Sequence, residues 1–177
     1  MAVSSTPSKT KLNASCKARP SSTEDERPSL MLTNDDIYLF SNGMWQRAWE
    51  KMGAHRDVQN GTEGWMFRVW APQVVSVHLV GDFNGWNPLS TPLTRADNSD
   101  IWEAFVPGLQ LGDLYKYAIK SDEGELLWKA DPFGFFAETC PGTASKLWDI
   151  SGYAWKDATW LRRRAERDIM KSPLNIY

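Results

Sequence analysis

An aromatic turn near the middle of the chain carries the side chain best suited to binding a ligand. Residues 81–87, Gly-Asp-Phe-Asn-Gly-Trp-Asn, end an apolar run, and their Asn-Gly pair predicts a tight turn that lifts the next side chain off a sheet. The flat face of an exposed indole suits the C–H surface of a sugar ring, and its N–H can serve a hydroxyl. We therefore take Trp86 as the first candidate for a sugar contact, together with Asn84 of the same turn.

Two further side chains could complete a platform around Trp86. Lys116 falls on the polar phase of an alternating run, and Trp128 stands in residues 127–132, Leu-Trp-Lys-Ala-Asp-Pro. A second indole adds stacking surface, and an ammonium group adds hydrogen-bond donors. The alternative, that one or both tryptophans are core residues, is equally compatible with composition alone.

Carboxylates that could form an acid–base pair are also present, at Asp82, Asp100, Asp131 and Asp149. Asp131 precedes a proline and Asp82 adjoins a turn, where aspartate usually accepts hydrogen bonds from nearby backbone amides. We favour that structural interpretation. The sequence carries no motif typical of a phosphate-binding loop or a nucleophile elbow, so no catalytic residue is predicted.

The histidines and cysteines lack the spacing of a metal site. His55 and His78 stand far apart without cysteine or carboxylate at ligand spacing, while Cys16 lies in a polar tail and Cys140 in a Pro-Gly loop. We expect two free thiols and predict neither a metal nor a cofactor.

The elements that must position these side chains are short strands. Between residues 64 and 147 apolar and polar residues alternate with a period of two, and Asn-Gly, Pro-Gly and Glu-Gly pairs separate the runs. Short strands without long helices between them predict an all-β fold, an antiparallel β-sandwich. The residues predicted to face the core include Trp65, Phe67, Val69, Val75, Val77, Leu79, Trp102, Ala104, Val106, Tyr115, Tyr117 and Ile119.

The flanks of the strand region differ in composition. Residues 1–32 are polar and predict a disordered tail, although a transit peptide has the same basic, acid-poor character. Residues 33–58 are predicted to form a helical lead-in, with a first helix capped near Thr33 and a second over Trp45 to Met52. Residues 59–150 would be the sandwich, and residues 151–177 a helical connection ending in a strand-like run.

Charge and hydropathy exclude two classes of partner. The chain has 20 basic and 22 acidic residues among 177, a formal net charge of −2, which lacks the basic field that nucleic-acid binding requires. Its apolar runs are much shorter than the ~20 residues of a membrane span, and no signal-peptide hydrophobic region follows Met1. We expect a soluble, cytoplasmic protein with no nucleic-acid or membrane partner.

Several separated motifs, in this order along the chain, resemble one family. They are similar to the family 48 carbohydrate-binding module at the front of bacterial 1,4-α-glucan (glycogen) branching enzymes, which belong to glycoside hydrolase family 13. The resemblance covers roughly residues 34–177. It rests on residues 36–40 (Asp-Ile-Tyr-Leu-Phe), 50–55 (Glu-Lys-Met-Gly-Ala-His), 80–86 (Val-Gly-Asp-Phe-Asn-Gly-Trp), 114–117 (Leu-Tyr-Lys-Tyr), 129–132 (Lys-Ala-Asp-Pro) and 141–145 (Pro-Gly-Thr-Ala-Ser).

The resemblance implies an immunoglobulin-like sandwich with short flanking helices that binds α-1,4-glucan: glycogen, starch or maltooligosaccharides. It places the sugar platform on Trp86, Lys116 and Trp128, and it puts Pro141 and Ser145 where glycogen-targeting modules have a leucine and an asparagine. The family's catalytic carboxylates lie in a barrel that follows the module. We expect this barrel to be a partner and the chain alone to be inactive.

Two alternatives share the same module. One is a non-catalytic glycogen-targeting or scaffold subunit, such as the regulatory subunit of an energy-sensing kinase, and the other is the first module of a debranching hydrolase. The segments at 36–40 and 50–55 favour the branching-enzyme interpretation.

Overall fold

The computed structural model describes residues 29–96, 99–168 and 171, and in them two antiparallel sheets dominate. The first sheet has the strand order β1-β2-β5-β4; the second has the order β3-β6-β9-β8, with β7 also paired to β6. The strands are β1 Gly53–Gln59, β2 Thr62–Trp70, β3 Val74–Gly81, β4 Thr94–Arg95, β5 Ile101–Pro107, β6 Leu114–Ser121, β7 Leu126–Lys129, β8 Phe136–Ala137 and β9 Ser145–Lys146.

The two sheets share one apolar core. Trp65, Phe67, Val69 and Trp102 come from the first sheet, and these buried residues cluster with side chains of the second sheet that include Val77, Leu79, Tyr115, Tyr117 and, beyond the strands, Leu147. Each set occupies alternate positions of its strand, as expected when only one face of a sheet meets the other layer. The predicted all-β, immunoglobulin-like sandwich is therefore confirmed.

One predicted core residue is exposed because β3 is irregular at its start. The pairing of β3 with β6 shifts register between Val74 and Ser76. This bulge turns Val75 out to solvent, while the neighbouring Val74 packs against the core. The alternation of period two resumes at Val77.

The lead-in forms a third layer on the outer face of the first sheet. Its helix α1, Asn34–Ser41, begins as predicted with a capping box between Thr33 and Asp36. Residues of the lead-in bury Ile101 of β5, with Ala48 and Met52 at the centre of this second cluster and Leu32, Ile37, Phe40 and Trp45 packed around it. The lead-in therefore covers the part of the outer face around Ile101, while Trp70 at the end of β2 stays exposed.

A buried arginine lies under this layer. Arg68 of β2 is only 2% exposed, and its Nε donates to Glu103 Oε2 at 2.7 Å and its Nη1 to the carbonyl of Lys51 at 3.3 Å. Lys51 Nζ in turn donates to Asp36 Oδ2 at 2.7 Å and to the carbonyl of Met31 at 2.9 Å. Because an unpaired buried charge is costly, these contacts fix the lead-in on the sheet.

The predicted helical character of residues 33–58 is wrong in its second half. Trp45 to Met52 forms only a 3-10 turn at Ala48–Glu50, and residues 53–58 belong to β1, which pairs with β2. Gly53, at φ +88°, turns the chain out of the lead-in and into the sheet. β1 is an edge strand with one face to solvent, so its polar sequence hides its strand character.

The segment after the sandwich contains the predicted helix as α2, Ala158–Glu166. Its Trp160 and Leu161 are exposed, as are Tyr153 and Trp155 before it, whose rings meet edge to face at 4.9 Å. The predicted disordered tail lies, up to residue 28, outside the described residues, and so does the strand-like run at 172–177.

The stability of this fold should depend on the protonation of His55. Its Nε2 lies 2.9 Å from the carbonyl of Met52 and its ring meets Phe135 edge to face at 5.4 Å. Burial lowers the pKa of His55 below its usual value, and the charge of Arg68 adds to this effect. The unfolded chain therefore binds a proton at this residue more readily than the folded chain does.

We expect stability to fall as pH drops below about 6.5, the unfolded value, towards the lower folded pKa of His55. Melting temperatures at about pH 7.5 and about pH 5.5 should differ less in His55→Gln than in the unaltered chain. Burial raises the pKa of Asp131, so its protonation makes the fold more stable as pH falls, opposite to the effect of His55. This contribution of Asp131 is the same in both proteins. Equal differences in the two proteins would contradict the assignment to His55.

Candidate functional site

The turn after β3 is built by its own backbone and by Asn84. A 3-10 turn at Asp82–Asn84 leads into Gly85 at φ +62° and Trp86 at φ +59°, both left-handed. Asn84 Oδ1 accepts from the amide of Gly81 at 3.0 Å, and its Nδ2 donates to the carbonyl of Leu79 at 2.9 Å. The side chain of Asn84 is thus committed to shaping the turn that presents Trp86.

The indole of Trp86 is held by an aspartate of the same turn. Its Nε1 donates to Asp82 Oδ1 at 2.8 Å, and the ring is half-buried. The sequence suggested that this N–H could serve a sugar hydroxyl, but the structure gives it to Asp82 because the left-handed turn folds the indole back over residue 82. The ring therefore offers stacking surface rather than a free donor.

Trp128 of β7 stands beside Trp86. The ring centroids are 6.3 Å apart with an interplanar angle of 33°, and Trp128 is 40% exposed. Trp128 pairs in register with Ala118 of β6, which, like Val80 of β3, is on the outer face of the second sheet and yet fully buried. A small side chain at Ala118 leaves room for the rings that cover this face.

Lys116 lies on the same face, two residues along β6 from Ala118. Its Nζ donates to Thr143 Oγ1 at 2.6 Å, which leaves two further N–H groups on the ammonium. Thr143 belongs to the loop between β8 and β9 and was not among the predicted site residues. The Pro-Gly-Thr-Ala-Ser run carried part of the family resemblance, so that motif contained the signal that could have identified it.

The structure thus places Trp86, Trp128 and Lys116 on one surface, which we call the indole platform. Asn84 lies behind it as the support of the turn. Trp86 is half-buried and Trp128 is exposed, so the platform is open to solvent. A groove of about 790 Å³ lies elsewhere, between residues 29–37 and the outer face of the first sheet, and its walls include Arg56, Arg68 and Glu103.

The two positions where the chain differs from glycogen-targeting modules have different surroundings. Pro141 is exposed in the loop that holds Thr143. Ser145 is buried, and its Oγ accepts from the amide of Asp131 at 2.9 Å. Ser145 of β9 therefore holds Asp131, in the segment that follows β7, on the core side of the sheet.

Asp131 has the structural role expected of it. Its carboxylate accepts from the hydroxyls of Tyr115 at 2.7 Å and Tyr117 at 3.2 Å, and from the amide of Phe133 at 2.8 Å. Burial raises the pKa of Asp131. Burial, and after it the negative charge of Asp131, also raises the pKa of Tyr115 and of Tyr117. A carboxylate enclosed by its own donors on the core side has no access to a bound substrate.

The other candidate carboxylates are also engaged with near neighbours. Asp82 holds Trp86, Asp100 pairs with Arg95, and Asp149 accepts from the amide of Ser151 at 2.8 Å. Across residues 29–96, 99–168 and 171, no group of three metal-ligating side chains comes together. Nor does any helix in that part of the chain have the length and apolar character to cross a membrane.

The chain is similar to several known proteins. Residues 51–134 match the family model of carbohydrate-binding module 48 (isoamylase N-terminal domain). The 1,4-alpha-glucan branching enzyme GlgB of Butyrivibrio fibrisolvens is 40% identical over 148 residues, 84% of this chain and 23% of that enzyme. GlgB of Thermosynechococcus vestitus is 44% identical over 146 residues, 82% of this chain and 19% of the enzyme.

This chain therefore spans about a fifth of the length of these branching enzymes. Among solved structures, the ligand-free pullulanase PulA of Klebsiella pneumoniae aligns with 65% of this chain and 10% of its own, at 25% identity and a TM-score of 0.46.

Proposed function

We propose that the chain, whose residues 51–134 match the family model of carbohydrate-binding module 48, binds α-1,4-glucan on the indole platform of Trp86, Trp128 and Lys116. The observation that carries the proposal is the pair of indoles 6.3 Å apart on the solvent side of the second sheet. Neither ring belongs to the shared core.

The platform suits a sugar polymer in its chemistry. Aromatic faces stack on the C–H surfaces of pyranose rings, and the 33° angle between the indoles suits a chain that curves from one residue to the next. The free N–H groups of Lys116 can donate to hydroxyls at the edge of the sugar. Trp86 and Trp128 therefore supply the contact area, and Lys116 supplies orientation.

The expected affinity is modest. An open platform offers stacking and a few hydrogen bonds, while the free sugar is already well solvated, so the Kd for maltoheptaose should be ~0.1 to 1 mM, about −4 to −5.5 kcal/mol. Isothermal titration calorimetry measures it directly, with cellohexaose, a straight β-linked chain, as the control. No saturable binding of maltoheptaose, or equal binding of cellohexaose, would overturn the proposal.

The place of this binding in metabolism is part of the same proposal. The likeness to branching enzymes supports a module that holds glycogen or starch for a catalytic barrel, which cuts an α-1,4-glucan and rejoins the fragment through an α-1,6 bond. The exposed aromatic residues Tyr153, Trp155 and Trp160 support a contact surface for such a barrel.

A further inference from the structure

The outer face of the second sheet continues beyond the indole platform. Leu114 of β6 pairs with Lys146 of β9, and Lys146 pairs with Phe136 of β8. Directly paired side chains lie on the same face, and Leu114 has the same phase along β6 as Lys116. Phe136 and Lys146 therefore share the face that carries Lys116 and Trp128.

An exposed pair of aromatic rings lies on this continuation. Phe136 and Trp148 stack with centroids 5.0 Å apart and an interplanar angle of 25°, and Lys146 Nζ lies 5.6 Å from the centre of the Phe136 ring. Trp148 follows Lys146 by two residues, with the buried Leu147 between them facing the core. We call Phe136 and Trp148 the second aromatic pair.

These two rings are poorly explained as core packing. Phe136 is 46% and Trp148 44% exposed although they stack on each other, and neither belongs to the apolar clusters of the fold. Phe136 supports one side of the indole, so the remaining surface of Trp148 is presented to solvent. Its type, its exposure and its support by a second ring repeat the features of the indole platform.

The separation of the two surfaces determines what could cover both. Trp128 is opposite Ala118, and Lys146 is opposite Leu114, four residues before Ala118 in β6. Trp148 lies two residues beyond Lys146 in the same direction, so about six residue positions, or ~20 Å at the rise of a strand, separate it from Trp128. Lys116 lies between them, with its ammonium group held beside Thr143. A glucan as short as maltotriose does not reach across this distance, whereas a longer glucan does.

We propose that the second aromatic pair extends the glucan-binding surface, so that one α-1,4-glucan chain runs from Trp86 and Trp128 past Lys116 to Trp148. This inference rests on the proposed function and adds a preference for chain length to it. The occupant is a linear segment of several sugar residues, because the two surfaces lie on one continuous sheet face and share the same stacking chemistry. Joining two weak contacts through one ligand raises affinity without a new kind of interaction.

Calorimetry with maltotriose and with short-chain amylose, both at equal molar concentrations of chains, tests the length preference. In the unaltered chain the amylose should bind about five- to tenfold tighter than maltotriose, and Trp148→Ala should remove most of that gain. The affinity for maltotriose should remain unchanged in Trp148→Ala. Trp155→Ala is the matched control, since Trp155 is also exposed and paired with a ring but follows the strands of the sheet.

A second measurement avoids any effect of the substitution on folding. In the unaltered chain, the indole N–H resonance of Trp148 should shift on titration with amylose and stay in place with maltotriose, whereas the resonance of Trp86 should respond to both.

The outcomes separate the two proposals. A chain that binds neither ligand contradicts the proposed function. If the protein binds both ligands, two results contradict only the proposal that the second aromatic pair extends the binding surface. One is a length preference that is kept in Trp148→Ala, and the other is the absence of a shift in the Trp148 resonance. In that case the second aromatic pair is left as a surface for a protein partner.

Discussion

Replacing Trp86 by alanine will remove most of the affinity for maltoheptaose and leave the fold intact. The substitution deletes one of the two stacking rings and leaves Trp128 alone on an open surface. We expect at least about a tenfold rise in Kd, or ~1.4 kcal/mol, by calorimetry or glycogen pull-down. Because Trp86 lies in a loop and is half-buried, the melting temperature should stay within a few degrees.

Two further variants test which groups of the platform contribute to binding. Trp86→Phe keeps an aromatic face without the N–H, and it should retain most of the binding because that N–H is donated to Asp82 and not to the ligand. Lys116→Met keeps a long apolar side chain without the ammonium group and should weaken binding less than Trp86→Ala does. Unchanged affinity in a folded Trp86→Ala protein would mean that the glucan binds elsewhere on the module and that the platform assignment is wrong.

Replacing Trp102 by alanine should instead abolish much of the stability. Trp102 is buried in the core shared by both sheets, and its Nε1 donates to the carbonyl of Ala71 at 3.0 Å. The truncation opens a cavity and removes the donor from a buried carbonyl, which together cost about 3–5 kcal/mol. This is comparable to the whole stability of a domain of this size, ~5–15 kcal/mol, so a large unfolded fraction is expected at 37 °C.

Urea denaturation of Trp102→Ala and of Trp155→Ala compares the same substitution at a buried and at an exposed site. Trp155 is 76% exposed, so its removal should change the free energy of unfolding by only about 0.5 kcal/mol. Similar midpoints for the two variants would show that Trp102 is not a core residue.

The sequence predicts the sandwich well wherever a single face of a strand is buried. Trp65, Phe67 and Val69 keep their predicted phase, because the alternation of period two directly reflects which side of the sheet meets the core. The alternation does not predict burial where a second layer covers the outer face of the sheet. Met66 and Arg68 occupy the polar phase and are nevertheless buried, since contacts with the distant lead-in are not encoded in local alternation.

The candidate site is predictable in its residue types and less so in its contacts. The Asn-Gly pair correctly predicted a turn that presents Trp86 outside the core. The bond between its indole and Asp82 depends on the left-handed conformation of residue 86 itself, which is rare for tryptophan and absent from propensity rules. Thr143 could not be placed beside Lys116 without the pairing of β9 with β6, a contact between residues far apart in sequence.

The contacts over Arg68 extend beyond the segment that matches the family model. The family 48 match begins at residue 51, yet the ion pairs and apolar contacts that seal Arg68 and Ile101 involve residues upstream of it, including Asp36 and Ala48. A protein cut at residue 51 would uncover an apolar surface around a guanidinium whose pairing with Glu103 would then be exposed to water. The lead-in is therefore a structural part of the module, and a module transferred to another protein would need residues 29–52 to keep Ile101 and Arg68 buried.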